Sequence, residues 1–314
     1  MQRLPFAKNY NSPNCNESKQ QSRKFSKREY RFPESRYYSN TPIFKPTKQI
    51  KCVTINIQKM ETKMKTLKIS FSTPKGGVGK STMTALLSSV LHYRLGFNVL
   101  VMDCDFPQHS LANMRERDLK TIMQNDYHKR AAMKLYQSIN KKAYPIISCK
   151  AEDALSKALE YVNESAIEPD IIFFDLPGTA NTKGVLTTLR TMDFIFSPIS
   201  ADRLVMESTL SFTKAFLGLP ETDQSNKDQK MWMFWNQVDG REKTGIYEAY
   251  QSVINELDLS VMTSKIMDSK RFRKETDDTL NSVFRSSLLP AEPQLMKATR
   301  IDLFVEEFLK IVNL

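Results

Sequence analysis

The residues from Pro74 to Thr82, Pro-Lys-Gly-Gly-Val-Gly-Lys-Ser-Thr, have the composition of a loop that binds phosphate groups. Glycines at three positions allow the backbone to curl tightly and to point several N–H donors at one anion. Lys80 supplies a positive charge for the β- and γ-phosphates of a nucleotide, and the Ser81 hydroxyl is placed to bind Mg²⁺. The nucleotide is therefore expected to contact the loop residues Gly76, Gly77, Val78, Gly79, Lys80, Ser81 and Thr82.

This loop departs from the usual phosphate-binding pattern at two positions. Pro74 stands where the pattern has glycine, and Lys75 is an additional lysine five positions before Lys80. Because Lys75 lies at the start of the loop, we expect its side chain to point away from the phosphates that its own loop binds. It would instead face whatever packs over the site.

Three aspartates follow apolar segments that are typical of buried strands. Asp103 and Asp175 each end such a segment, and Asp105 comes two residues after the first. Ligands of open α/β folds bind at the carboxyl ends of parallel strands, so the carboxylates are expected there. Asp175 is predicted to hold Mg²⁺ through water beside Ser81, while Gly178 brings its N–H close to the γ-phosphate. The alternative role of each aspartate is that of a helix cap or turn residue.

These segments together resemble the motifs of the ParA/MinD superfamily of ATPases. Residues 75–81 resemble its deviant Walker A motif, and residues 170–178 resemble its Walker B strand and second switch. Residues 103–108 read Asp-Cys-Asp-Phe-Pro-Gln and resemble the Asp-x-Asp-Pro-Gln of ParA proteins, with Phe106 inserted. The resemblance covers the chain from about residue 65 to the C-terminus.

The resemblance implies an enzyme that hydrolyses ATP slowly and forms a homodimer around two ATP molecules. Lys75 would reach the phosphates bound by the second chain, Asp105 would orient or polarise the attacking water, and Asp103 would support the metal. An adapter protein, not identifiable from this chain, would stimulate hydrolysis. The implied cofactors are ATP and Mg²⁺, the catalytic residues are Lys75, Lys80 and Asp105, and the metal-binding residues are Ser81, Asp103 and Asp175.

Two further site predictions concern the C-terminal half. By the same resemblance, Asn236 is expected to recognise adenine, and its alternative role is that of a turn residue. Four basic residues lie within five positions, and such clusters neutralise phosphates. The resemblance implies that this cluster binds double-stranded DNA without sequence preference in the ATP state, and the alternative is a solvated helix start. The residues are Lys270, Arg271, Arg273 and Lys274.

Composition excludes several other classes of protein. The four cysteines have no metal-binding spacing and no Cys-x-x-Cys pair, which indicates reduced cytosolic thiols and argues against the iron–sulfur relatives of the superfamily. No apolar run approaches the ~18 residues of a membrane span, and the N-terminus lacks the apolar core of a secretory signal. We therefore expect a cytoplasmic protein with no membrane partner, and the resemblance implies that it is nucleoid-associated.

The net charge of +11 is concentrated at the N-terminus. Residues 1–59 hold thirteen basic and three acidic residues, and their polar composition predicts a disordered tail. Such a tail could be an arm that binds nucleic acid, a solvated segment without a role, or an extension upstream of a natural start at Met60. We favour the last interpretation, and assign residues 60–314 to the ATPase domain.

Strands and helices alternate in the sequence after Met60. This alternation predicts an α/β fold of the P-loop NTPase kind, doubly wound, with a mostly parallel sheet and helices on both faces. The predicted helices are 80–95, 152–163, 182–191, 202–217 and 245–257, with residues 111–142 and the C-terminal end mostly helical. The predicted strands are 67–73, 98–103, 144–148, 171–175, 194–199, 230–236 and 261–266.

The last helix, from Ile301 to Leu314, separates two functional interpretations. Its apolar residues have helical spacing, but its polar face carries Asp302, Glu306 and Glu307 against one lysine, which disfavours anionic lipid. A helix docked on the core is therefore preferred to a MinD-like membrane anchor. A metabolic enzyme of the dethiobiotin-synthetase kind is the other alternative, although that group lacks the early lysine. Residues 60–314 most resemble ParA-like proteins of Bacteroides-type conjugative transposons.

Overall fold

The computed structural model describes residues 66–178, 183–220, 230–241, 244–273 and 282–314. The predicted basic tail at residues 1–59 and the basic residue Lys274 lie outside these ranges, and so does the side chain of Arg273. Within the described ranges, every helix is too short or too polar to cross a bilayer.

Seven strands form one sheet, in the order β3-β2-β4-β1-β5-β6-β7. All the strand pairs among the described residues are parallel, and this confirms the predicted α/β class. Two of the predicted strands, β4 and β5, have the predicted bounds. The strands are β1 Leu67–Phe71, β2 Val99–Asp103, β3 Ile146–Ser148, β4 Ile171–Asp175, β5 Phe194–Ile199, β6 Lys230–Val238 and β7 Val261–Met267.

Helices cover both faces of this sheet. In β4, Ile171 and Phe173 belong to one apolar layer, while Ile172 and Phe174 belong to another. Alternate residues of a strand point to opposite faces, so a strand that is apolar throughout must be covered twice. The helices are α1 Lys80–Tyr93, α2 Ser110–Gln124, α3 Asp126–Ile139, α4 Ala154–Glu164, α5 Lys183–Leu189, α6 Arg203–Leu217, α7 Thr244–Glu256, α8 Pro293–Thr299 and α9 Ile301–Val312.

The last helix, α9, is docked on the core, as predicted. Its Phe308 ring lies 5.0 Å from the ring of Phe196, centroid to centroid, and is fully buried. On its polar face, Glu307 accepts backbone hydrogen bonds of 2.7 Å from both Thr263 and Ser264. The apolar face of α9 is therefore packed against the core, and Glu307 pairs with backbone N–H groups of the edge strand β7.

The region 111–142 forms two helices rather than a single helical stretch. The break lies at Asn125, whose side-chain oxygen accepts hydrogen bonds from the backbone N–H groups of Tyr127 and His128. This N-cap satisfies donors that would otherwise be left unpaired at the start of α3, and it explains why α2 and α3 separate there.

An irregular segment, residues 282–292, precedes the C-terminal helices and packs on α1 and α2. Ser287 donates hydrogen bonds to Asp118 from its backbone N–H at 2.6 Å and from its hydroxyl at 2.7 Å. The Tyr93 hydroxyl donates to the carbonyl of Ser287 at 3.0 Å. The sequence predicts helix throughout this end of the chain, but in this segment side chains, rather than a helical backbone, pair with backbone N–H and carbonyl groups.

Candidate functional site

A cavity of about 740 Å³ opens at the carboxyl end of the parallel strands. The predicted phosphate loop forms one wall, and residues that follow β2, β4 and β7 complete it together with two residues of β6. The predicted ligand-binding residues that line it are Gly76, Gly77, Gly79, Lys80, Ser81, Thr82, Asp105, Gly178 and Asn236. The structure therefore brings most of the sequence-predicted site into one cavity.

The phosphate loop turns sharply into α1 at Gly79. This residue has φ of 97°, in the left-handed region, and directly precedes the first residue of the helix. A Cβ at this position would lie 2.7 Å from Nδ2 of Asn236, which is closer than non-bonded atoms approach. Both the backbone conformation and the neighbouring side chain therefore require glycine.

Replacing Gly79 with alanine is expected to destabilise the protein by about 1–3 kcal/mol, because a left-handed alanine is strained and its methyl group would displace Asn236. Gly245→Ala is the matched control, since a Cβ at Gly245 meets no atom within 4 Å and the position is helical. Thermal melting of the nucleotide-free variants measures the difference. Equal melting temperatures of the two variants would contradict this view of the loop.

Lys80 lies across the mouth of the loop. Its Nζ donates hydrogen bonds to the carbonyl oxygens of Lys75 at 3.0 Å and of Thr73 at 3.4 Å. A Cβ on Gly178 would lie 3.0 Å from the same amine, so the two motifs meet here. Burial lowers the pKa of Lys80, while the negative charge of Asp175 opposes that shift. The amine is thus placed where a terminal phosphate would meet Gly178.

Asp175 is fully buried, and neither of its carboxylate oxygens has a hydrogen-bond partner among the described residues. Burial raises its pKa to about 7, although the nearby Ser81 hydroxyl acts in the opposite direction. A buried carboxylate without partners is costly unless a ligand satisfies it. Carboxylate and hydroxyl oxygens are the donors that Mg²⁺ prefers, so Ser81 and Asp175 fit the predicted metal site.

The two aspartates at the carboxyl end of β2, Asp103 and Asp105, have different surroundings. Oδ2 of Asp103 accepts hydrogen bonds from the backbone N–H groups of Leu111 and Ala112 at 3.0 and 2.9 Å, and so caps α2. Oδ1 of Asp103 is buried without a partner among the described residues, and this is the oxygen left for the predicted metal role. Asp105 instead lines the cavity, where Ser110 donates a hydrogen bond to it at 3.3 Å.

Asn236 connects strand β6 with the phosphate loop. Its Nδ2 donates a hydrogen bond of 2.8 Å to the carbonyl oxygen of Val78, and its neighbour Gln237 donates one of 3.1 Å to Gly77. Oδ1 of Asn236 is buried and has no partner among the described residues. One side of this amide therefore fixes the loop, and the other is available for the predicted contact with the base.

The predicted basic residues fall at the edges of this site. Lys75 is half-buried and is not among the residues that line the cavity, and its outward direction stays a prediction. Lys270 is exposed after β7, whereas Arg271 is half-buried and donates a hydrogen bond of 3.1 Å to Ser282. The remaining two residues of the cluster have no described side chains. Only Lys270 and Arg271 can therefore be placed beside the cavity.

Sequence reasoning missed several residues that line the cavity. Phe106, the inserted residue, lies at its rim with 56% of its surface exposed. Phe272 and Asp268 follow β7, and Arg285 comes from the segment 282–292. Phe106 interrupts a motif without a predicted role, whereas the other three residues belong to no motif and only their spatial proximity to the loop reveals them.

Comparisons with known proteins agree with this geometry. A model of the CobQ/CobB/MinD/ParA nucleotide binding domain matches residues 69–281, whereas a search of curated proteins found no match. A putative plasmid partition protein from Borrelia burgdorferi, bound to AMPPNP, is 17% identical and has a TM-score of 0.50. That alignment covers 78% of this chain and 99% of the Borrelia chain.

Two further solved structures have lower TM-scores. Cobyrinic acid a,c-diamide synthase from Mycobacterium smegmatis, with a bound ATP analog and magnesium, is 20% identical over 65% of this chain and 86% of that chain, with a TM-score of 0.46. The pNOB8 ParA bound to nonspecific DNA is 18% identical over 63% and 79% of the two chains, with a TM-score of 0.43. At such identities the likeness concerns the fold alone.

Proposed function

Because the chain belongs to the CobQ/CobB/MinD/ParA family of nucleotide-binding domains, we propose that it is a P-loop ATPase of the ParA/MinD type, which hydrolyses ATP slowly as a dimeric DNA-binding switch. The observation that carries this proposal is the meeting of the Lys80 amine with Gly178, beside a buried Asp175 that has no hydrogen-bond partner among the described residues. A terminal phosphate and a metal ion would satisfy both groups at once.

The residues in and beside the cavity have different roles in nucleotide binding and hydrolysis. Loop N–H groups and the N-terminus of α1 bind the phosphates, and the Lys80 charge compensates the negative charge of the terminal phosphate. Ser81 and Asp175 hold Mg²⁺, which supplies further compensation of phosphate charge when bound. Asp105, which lines the cavity, orients the attacking water. The backbone N–H of Gly178 contacts the γ-phosphate and so senses its loss on hydrolysis.

The early lysine, Lys75, supports the dimer part of the proposal. It precedes the loop glycines and is not among the residues that line the cavity. In this proposal its charge is not directed to the phosphates of its own site. In a dimer whose two loops face each other, each Lys75 would reach the phosphates held by the other chain. ATP would then stabilise the dimer, and hydrolysis would release it.

The DNA part of the proposal rests on the position of the basic cluster. Lys270 and Arg271 precede Phe272, and Phe272 lines the cavity. A change at the nucleotide would therefore act within a few residues of a surface that can neutralise DNA phosphates. In this proposal the ATP-bound dimer associates with the nucleoid and acts in the partition or transfer of a plasmid or conjugative element. An adapter protein stimulates hydrolysis.

Binding of the full chain to non-specific duplex DNA at fixed low salt tests this proposal, with ATP–Mg²⁺ compared against ADP–Mg²⁺. We expect binding in ATP at least about 10-fold tighter than in ADP, because only the ATP dimer joins two basic surfaces. Lys75→Ala should abolish this difference, and Lys297→Ala, a substitution on α8, serves as the control. Fluorescence anisotropy of labelled DNA measures the unsubstituted protein and both variants in each nucleotide.

This experiment, together with an ATPase assay of the same proteins, distinguishes the alternatives. Equal DNA binding in both nucleotides would overturn the switch and leave a constitutive DNA-binding protein. Unchanged ATPase activity in Lys75→Ala would favour the metabolic enzyme of the dethiobiotin-synthetase kind. A MinD-like role finds no support in α9, because its apolar residues Phe304 and Phe308 are already buried against the sheet.

A further inference from the structure

The segment 282–292 contributes a second cation to the nucleotide cavity. Arg285 and Lys80 are the two basic side chains among the described residues that line it. Nη1 of Arg285 donates a hydrogen bond of 3.3 Å to the hydroxyl of Thr82, in the first turn of α1. Because this end of a helix directs its N–H groups at an anion, the guanidinium stands beside a place that favours phosphate.

The order of the strands defines the direction in which a nucleotide lies in the cavity. Asp175 ends β4, the phosphate loop follows β1, Asn236 belongs to β6, and Phe272 follows β7. These strands succeed one another in the sheet as β4-β1-β5-β6-β7. The Lys80 amine meets Gly178 beyond the end of β4, so the terminal phosphate belongs at that end and the nucleoside belongs towards β6 and β7.

Arg285 lies on the nucleoside side of the phosphate loop. Its neighbour Phe284 packs its ring against Phe272, with 4.9 Å between the ring centroids, and Phe272 follows β7. The chain therefore reaches Arg285 from the β7 side, two residues before Ser287 contacts α2, while Lys80 faces β4. We infer that Arg285 binds the α-phosphate of the nucleotide, an inference that rests on the proposed binding of ATP.

The surroundings of Arg285 hold its backbone in position before any nucleotide binds. Ser287, two residues later, is fixed to Asp118 of α2 by two hydrogen bonds of 2.6 and 2.7 Å. The Ser287 carbonyl also accepts a hydrogen bond from Tyr93 of α1. A pre-organised guanidinium loses little freedom on binding phosphate and can donate two parallel hydrogen bonds.

This assignment gives the two cations different tasks. The α-phosphate is present in both ATP and ADP, so Arg285 should strengthen the binding of both to the same extent. Lys80 faces the end where the two nucleotides differ, and so it should discriminate between them. Arg285 would therefore keep the nucleotide bound after hydrolysis, whereas Lys80 responds to the phosphate that is lost.

Titration calorimetry of the full chain with ATP–Mg²⁺ and ADP–Mg²⁺ tests the assignment. Arg285→Gln should raise both dissociation constants by about 10- to 100-fold and by the same factor, the effect expected for the loss of a charged hydrogen bond. The logarithm of Kd for ADP should also depend less on salt concentration, which a purely structural role would not produce. Arg203→Gln, at an exposed arginine of α6, is the matched control.

Each result of this experiment has a distinct meaning. Unchanged dissociation constants in Arg285→Gln would overturn the inference and leave the proposed function intact, and so would a loss confined to ATP. Failure of the unsubstituted protein to bind either nucleotide would overturn both. If Arg285→Gln does not fold, Arg285→Lys decides, because it keeps the charge but loses the paired donors. An equal loss of about 3- to 10-fold for both nucleotides supports the inference, and no loss overturns it.

Discussion

Alanine in place of Lys80 is expected to reduce the rate of ATP hydrolysis by at least about 100-fold, because preorganised charge at the transferred phosphate is the largest contribution to this kind of catalysis. The structure adds a second reason, since the same amine donates hydrogen bonds to the carbonyl oxygens of Thr73 and Lys75. The variant should therefore also bind ATP more weakly. The rate of phosphate release at saturating ATP measures the effect on hydrolysis, and its dependence on ATP concentration below saturation measures the effect on ATP binding.

Lys120→Ala is the control for this substitution, because Lys120 lies exposed on α2 outside the cavity lining. It removes the same charge and should leave hydrolysis unchanged. A Lys80→Ala protein that hydrolyses ATP at the unsubstituted rate would show that the observed activity does not come from this loop.

Asparagine in place of Asp175 is expected to abolish hydrolysis and yet to stabilise the nucleotide-free protein. Magnesium binding loses a charged ligand, so the rate should fall by about 100-fold or more. In the absence of nucleotide, however, the substitution removes a fully buried carboxylate that lacks partners among the described residues. We expect the melting temperature to rise by about 3–8 °C. Asp126→Asn, at an exposed aspartate of α3, should change neither property.

The pH dependence of stability provides an independent test of this buried carboxylate. Burial raises the pKa of Asp175 to about 7, above the value of an unfolded aspartate. The folded state then binds more protons than the unfolded state between these two pKa values, so stability falls as the pH rises towards 7. Above pH 7 the full cost of the buried charge is present. This fall should be absent from the Asp175→Asn protein.

Bound ATP–Mg²⁺ should oppose this fall in stability with increasing pH. Because the metal needs the ionised carboxylate, the affinity for nucleotide with Mg²⁺ should increase as the pH rises through about 7. Melting curves between pH 5.5 and 8.5, with and without ATP–Mg²⁺, compare the two effects. Identical pH profiles of the unsubstituted and Asp175→Asn proteins would contradict the view that this carboxylate is buried and unsatisfied.

Local sequence patterns were sufficient to predict the sheet and the phosphate loop. Strands β4 and β5 are buried along their whole length and are mostly apolar, because both faces of a parallel sheet are covered, and their bounds agree with the prediction. The phosphate loop is equally predictable from the sequence, since Gly79 must adopt a left-handed conformation that few other residues tolerate. In each case the physical requirement acts within a few consecutive residues.

Contacts between distant parts of the chain could not be predicted in this way. Asp103 occupies a motif position, but one of its oxygens caps α2. This contact depends on how α2 is oriented relative to β2. The Asn236 amide binds the carbonyl oxygen of Val78, 158 residues earlier. Arg285 meets Thr82 across 203 residues. Neither contact leaves a periodicity or a spacing that a sequence pattern could reveal.

The docking of the segment 282–292 on α1 and α2 has a consequence for how the protein matures. Arg285 helps to line the cavity of the phosphate loop, but it is synthesised 203 residues after Thr82. Such long-range closure is slow compared with local helix formation. A chain still emerging from the ribosome would therefore carry an incomplete pocket, and ATP would engage only the finished molecule, stabilising it by mass action.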